Sequence, residues 1–163
     1  MIAFSAIRSK VGVGLLSAAF AFLVGAILVA LLQAGKTPAD PANARQVARG
    51  QTIYARYCAA CHGANLEGQP NWKKRLPNGR MPAPPHDASG HTWHHPDSIL
   101  FGITKHGLVP GKFAPPKYES DMPSFGEQLS DEEIWAVLAY IKSNWPGKIL
   151  AWQVEVTRNA ARR

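Results

Sequence analysis

Cys58-Ala59-Ala60-Cys61-His62 is the stretch from which the rest of the chain is best read. Two thiols three positions apart, followed at once by an imidazole, are the pattern for covalent attachment of a c-type haem. Each sulfur closes a thioether on one vinyl group, and the histidine reaches the iron from the same side. The spacing carries the argument, because one short turn of chain puts both sulfurs against one porphyrin edge while the next residue turns its ring under the metal. The chain holds 2 cysteines and both are in this stretch. Three other uses of such a pair compete: a thioredoxin-like redox pair, which wants a βαβ context, a disulfide, and a zinc site, which wants two more ligands nearby.

Outward from this stretch, the 163 residues leave room for one domain with appendages and not for two full cores. There are 18 Lys+Arg against 11 Asp+Glu, a formal net charge of +7. That surplus suits docking to an acidic redox partner or to anionic lipid, and it is too sparse and unclustered for nucleic-acid binding. The 13 prolines and 14 glycines point to a loop-rich middle. No segment repeats at a fixed period.

Residues 1–10 carry Arg8 and Lys10, and Val11 to Leu32 then runs without a charge. As a helix that run is roughly 33 Å long, about one hydrocarbon core, which makes 11–32 an expected transmembrane anchor. A cleaved signal peptide is the rival, but its apolar region is shorter, and Leu32-Gln33-Ala34 is a poor cleavage site. Charge does not orient the span, since Lys36, Arg45 and Arg49 follow it much as Arg8 and Lys10 precede it. Ser17, Ala21 and Gly25 recur at four-residue steps, a spacing that admits a partner helix and also arises by chance in such spans. Residues 33–43, with Pro38 and Pro41, read as a polar linker reaching at most about 35–40 Å.

From Ala44 to Tyr57 the pattern is helical, with Val47, Gly50, Ile53, Tyr54 and Tyr57 at three- and four-residue steps. Gly50 inside it suggests a close crossing by another helix. Gly63 to Trp72 reads as loop, followed by the basic run Lys73-Lys74-Arg75, either a solvated face or a docking point. Pro96 to His106 reads as a short helix with Ile99, Leu100 and Ile103 on its apolar face and Gly107 as terminator. Ser130 and Glu133 form a capping box, with Leu129 placed to staple onto Ile134. Ile134, Val137, Leu138 and Ile141 then supply a buried stripe to about Asn144, and Pro146 ends the helix. Residues 148–163 form a tail that reads as a further amphipathic helix with Ile149, Trp152 and Val156, frayed at its end.

Four histidines, His86, His91, His94 and His95, invite a second metal site for copper or zinc. The blander reading is that they cap turns or hydrogen-bond haem carboxylates in a loop. A six-coordinate haem also needs a ligand opposite His62, and beyond the initiator the methionines are Met81 and Met122. A thioether is soft and raises the reduction potential relative to a second imidazole, which suits an electron carrier. Met122 sits in a proline-stiffened loop ahead of a well-capped helix, and Met81, in Arg80-Met81-Pro82, competes with it.

The Cys58-to-His62 motif, the preceding helix with Gly50 and Tyr54, the Met122-Pro123-Ser124-Phe125 loop and the final Ile134-to-Ile141 helix together resemble the class I cytochromes c. The form resembled is membrane-anchored, bacterial and monohaem, and the likeness covers about residues 44–146. It implies an all-α fold around one covalent haem c, with the haem domain at 44–147. It implies that Cys58 and Cys61 bind the haem, that His62 is the proximal ligand and Met122 the distal one, and that Gly50 and Tyr54 meet the terminal helix near Val137 to Ile141. The proline carbonyl that orients the proximal imidazole maps by likeness to Pro70, and Arg80 and Trp93 are the candidates for the propionates. Since haem attachment in this family takes place on the exported side, residues 1–10 are expected in the cytoplasm and the haem domain at the periplasmic face of a bacterial inner membrane.

The function implied is one-electron carriage between respiratory or dehydrogenase components, with redox proteins and, through 11–32, membrane lipid as partners. No enzymatic step, small-molecule substrate or nucleic acid is expected. A fixed haem subunit of an oxidase or dehydrogenase complex is the alternative, and a haem-based ligand or metal sensor a more distant one.

Overall fold

The structure, a computed structural model, describes residues 22–25 and 38–162. The chain divides into two units, Met1–Lys36 and Thr37–Arg163. In the first, residues 22–25 are helical, with Phe22, Leu23 and Val24 exposed. The remainder of the expected anchor, together with 1–10 and the start of the linker, lies outside the described residues. Among the described residues no helix is long and apolar enough to cross a membrane.

The second unit is built from helices α1 (Ala44–Tyr57), α2 (Ala59–His62), α3 (Asp97–His106), α4 (Asp131–Ser143) and α5 (Gly147–Ala160), with a 3-10 turn at Thr92–His94 between α2 and α3. Helix α1 starts where Asn43 turns its side-chain oxygen to the N–H of Gln46 at 3.1 Å. The chain is tied down earlier than the expected linker allows. Ala39 is buried in the core, and the N–H of Asp40 donates to Gln46 Oε1 at 2.9 Å, so the last residues of 33–43 belong to the folded unit.

Helix α4 is the core element. Ser130 caps it as expected: its hydroxyl accepts from the Glu133 N–H, while Glu133 Oε2 accepts from the Ser130 N–H at 2.9 Å. That backbone hydrogen bond, with Arg49 alongside, holds the Glu133 carboxyl below its ordinary range. Leu129, Ile134, Val137, Leu138, Ala139 and Ile141 are buried beneath it.

Helix α1 crosses α4 at Gly50. A Cβ there would overlap the Ala136 carbonyl oxygen and stand 2.9 Å from the Tyr140 Cβ. Only a hydrogen fits between the two backbones. One turn on, Tyr54 packs its ring on Tyr140 at 5.4 Å between centroids. The crossing therefore centres on Ala136 and Tyr140, at the near edge of the expected Val137-to-Ile141 stretch.

Helix α5 makes most of the expected tail part of the fold, to Ala160. Ile149 is half-buried and Trp152 is 46% exposed, but Gln153, in the turn between them and Val156, is wholly buried. Its Nε2 donates to Asp97 Oδ1 at 2.7 Å and to the His95 carbonyl at 3.2 Å. Asp97, the first residue of α3, also receives Lys142 of α4, whose Nζ lies 2.9 and 2.8 Å from its two carboxylate oxygens. Lys142 and Asp97 are only 4% and 7% exposed, so each charge depends on the other for its solvation.

Three outcomes follow from these contacts. Gly50→Ala should lower the stability of the haem-loaded protein by about 1–3 kcal/mol or more in urea titration, despite alanine's better helix propensity, because the added methyl must force α1 and α4 apart. Asp97→Ala should cost about 3–5 kcal/mol by stranding Lys142. Arg158→Ala, which removes an exposed pair with Glu155, should change stability by no more than about 1 kcal/mol in the same titration.

Candidate haem site

The motif is delivered by the end of α1. Cys58 caps that helix, its N–H bonded to the Tyr54 carbonyl at 2.9 Å, and its own carbonyl accepts from the N–H of His62 at 2.9 Å to start α2. The two cysteines are not joined in a disulfide, Cys61 exposed and Cys58 half-buried. Burial, with Cys61 adding to it, pushes the Cys58 thiol up to about 12. Tyr54 reaches past the motif and donates its hydroxyl to the carbonyls of His62 at 3.3 Å and Gly63 at 3.0 Å, and burial raises its phenol well above the ordinary value.

His62 is buried, 7% exposed, and its Nδ1 lies 2.8 Å from the Pro84 carbonyl oxygen. A carbonyl only accepts, so Nδ1 carries the proton and the lone pair is left on Nε2. That is the tautomer a metal-binding imidazole needs. Burial holds the ring below the ordinary imidazole range, partly opposed by the Pro84 hydrogen bond.

The orienting carbonyl is therefore that of Pro84 and not of Pro70, which is exposed. The reason lies in the turn after the motif. The Gly68 N–H returns to the His62 carbonyl at 2.7 Å, and residues 66–69 then pair with 83–86: Gln69 N–H donates to the Ala83 carbonyl at 2.9 Å, and His86 N–H to the Leu66 carbonyl at 2.8 Å. Gly68 has φ of +69°, and a Cβ on it would run into the Pro85 nitrogen and stand 2.7 Å from the Pro84 carbonyl carbon. This close pairing lays Pro84 against the histidine ring, while Pro70 lies just past the turn, on the surface.

The histidine-rich loop does not assemble one metal site. His86 stacks on His62, His91 on Trp72, and His94 on Trp93, whose ring also meets Trp152 edge-on. Among the described residues no group of three or more His, Cys, Asp or Glu side chains is gathered as a bare metal site. Burial, and then the neighbouring histidines, lower His86 well below the ordinary imidazole range and lower His91 and His95 as well. The Trp93 Nε1 is buried without a partner among the described residues.

Met122 is half-buried and lines an open cleft of about 380 Å³ together with Arg80, His106 and Tyr118. Neither Met81 nor the Cys58-to-His62 motif lies on its wall. Its segment is anchored on α3, with Phe125 N–H on the Thr104 carbonyl and Gly126 N–H on the Lys105 carbonyl, both at 3.0 Å. The Arg80 guanidinium is engaged by Asp121 and, at 3.7 Å, by Glu119. Phe125 meets Tyr57 edge-on at 6.1 Å. Tyr57 adjoins Cys58, and the three residues from Phe125 back to Met122 span at most about 11 Å, so the methionine segment and the motif share one neighbourhood.

Sequence reasoning missed Trp145 as part of this site, and it named His86 only as a loop histidine and not as a neighbour of His62. The Trp145 indole N–H donates to the His86 carbonyl at 2.8 Å, so the end of α4 holds the loop that lies against His62. The signal available was only an apolar residue past a helix end. The donor set that results suits haem c: two free thiols, an imidazole with its lone pair on the outer nitrogen, and a thioether on the segment that touches the motif-bearing helix.

The cytochrome c family model matches residues 47–145, from α1 through the residue after the α4 cap. Neither the curated proteins nor the solved structures give a significant match. That span includes the motif, the Pro84 clamp, the Met122 segment and the α1–α4 crossing. With a class I helical framework around Cys58, Cys61 and His62, the chain belongs to the cytochrome c family, a haem-based electron-transfer protein with covalently bound haem c.

Proposed function

We propose that the chain is a monohaem carrier of single electrons, tethered by residues 11–32 to a bacterial inner membrane with its haem domain on the periplasmic side. Cys58 and Cys61 would carry the thioethers, His62 would hold the iron through Nε2, and Met122 would be the second ligand. The observation that carries this reading is the His62–Pro84 contact at 2.8 Å, since it leaves Nε2 as the one ring nitrogen with a lone pair to give. The partnerless Trp93 Nε1 supports a role for that indole toward a haem propionate. Arg80, already engaged by Asp121 and Glu119, steadies the segment that bears Met122.

Haem c would supply a one-electron couple, and His62 and Met122, if both held its iron, would leave no protein-free position for a substrate. Turnover is outer-sphere exchange with redox proteins at the membrane. The uncharged run 11–32 supports the tether, joined to the haem domain by a linker shorter than 33–43 because Ala39 and Asp40 already belong to the folded unit; such a tether raises the effective concentration of the carrier at membrane complexes. The surplus of positive charge suits acidic faces on those partners.

The test is spectroscopic. Acid–acetone should leave the pigment on the wild-type polypeptide, and the intact mass should include the added group. Met122→Ala should abolish the sulfur-to-iron charge-transfer band of the ferric protein, lower the reduction potential and admit carbon monoxide to the ferrous iron. Met81→Ala should do none of these, and the reverse pattern would move the ligand to Met81.

A further inference from the structure

We propose that His86 is a positioning residue for the haem, its imidazole serving as a flat wall that fixes the plane of the His62 ring. The two rings lie face to face, with centroids 3.9 Å apart and planes 19° from parallel. The Pro84 carbonyl pins His62 at one atom, Nδ1. One hydrogen bond restrains where that atom sits, but it leaves the ring free to rock about the bond. A parallel ring in van der Waals contact removes the rocking.

His86 is itself held on three sides. Its N–H is bonded to the Leu66 carbonyl at 2.8 Å, its carbonyl receives the Trp145 indole at 2.8 Å, and its ring meets Tyr54 edge-on at 5.9 Å. Those contacts tie it to the turn after the motif, to the end of α4 and to α1, so the wall inherits the rigidity of the core. Its Nδ1 is buried with no hydrogen-bond partner among the described residues. An aliphatic side chain would fill the same space without that uncompensated polar atom, so volume alone does not account for a histidine here. What an aliphatic side chain lacks is a flat face.

The inference rests on the reading of His62 as the iron ligand, and it concerns the orientation of that ligand and not its identity. With His62 and Met122 holding the iron, the imidazole plane and the sulfur lone-pair direction would together set which iron d-orbital holds the unpaired spin in the low-spin ferric state. The four haem methyl proton resonances would report that combined orientation, so with Met122 unchanged a reordering would track the ring plane. A change in ring plane also alters iron–nitrogen overlap, and with it the midpoint potential.

The experiment compares haem-loaded wild type, His86→Phe, His86→Leu and His86→Ala by proton NMR of the ferric protein and by potentiometric titration. His86→Phe keeps a flat wall and should keep the order of the four methyl resonances. His86→Leu and His86→Ala should change that order and shift the midpoint potential. Should His86→Ala fail to fold, His86→Leu decides alone, because it fills comparable volume. A His86→Leu protein with wild-type methyl order and wild-type potential, whatever its melting temperature, would overturn the proposal. Failure of the underlying reading looks different: wild type itself would then lack the hyperfine-shifted ring resonances of an iron-bound histidine.

Discussion

The 2.8 Å contact between His62 Nδ1 and the Pro84 carbonyl is the constraint on which the site depends. It selects the tautomer, and the tautomer decides whether the ring has a lone pair to offer outward. Because the partner is a backbone atom, no side-chain rotamer can withdraw it. The cost of holding a carbonyl at that place is met by the paired segments 66–69 and 83–86, and by Gly68, whose missing Cβ lets Pro84 and Pro85 approach. An imidazole also has to stay neutral to bind a metal. Burial secures this at His62 and, more strongly, at His86 behind it.

The clamp is only as firm as the helices that carry its two ends. One end hangs from α1, and α1 is fixed by the Gly50 crossing and by Tyr54, whose hydroxyl closes over the His62 and Gly63 carbonyls. The other end is held through Trp145, just beyond α4. Since α1 crosses α4, both ends of the clamp belong to one packed pair of helices, and the site has the rigidity of the core. The buried Lys142–Asp97 pair with Gln153 extends the same framework to α3 and α5. Its net contribution to stability is small compared with the damage from breaking it, and its geometric effect is to give α3 one seating against α4.

Local patterns were legible in the sequence and long-range pairings were not. The motif, the α1 stripe with Gly50 and Tyr54, and the capping box at Ser130 and Glu133 all depend on residues within a few positions of each other, and each was found where the spacing put it. Pro84 could not be told from Pro70 in this way. Both are loop prolines after the motif, and the choice depends on residues 66–69 pairing with 83–86, which no periodicity announces. Gln153 was passed over because a glutamine among Ile149, Trp152 and Val156 reads as solvent-facing; its burial makes sense only once Asp97 and the His95 carbonyl are beside it. In the histidine loop, proximity in sequence offered shared ligation beside the blander reading, and the fold stacks His86 on His62, His91 on Trp72 and His94 on Trp93, with His95 edge-on to His91.

The two walls of the site are held by different kinds of force, and this decides which one opens first. Around His62 the restraints are core packing, a backbone carbonyl and buried hydrogen bonds. Around Met122 they are two backbone hydrogen bonds to the end of α3, the half-buried Phe125, and ion pairs from Arg80 to Asp121 and Glu119 whose carboxylates are well exposed. Exposed pairs of that kind contribute about 0–1 kcal/mol each and weaken with salt. Partial opening costs least where few buried contacts must break, so fluctuation is concentrated in the segment carrying the sulfur while the imidazole stays in place. A carrier benefits from that order. With the ligands proposed above, His62 and the Cys58 and Cys61 thioethers would hold the haem while the Met122 segment moves.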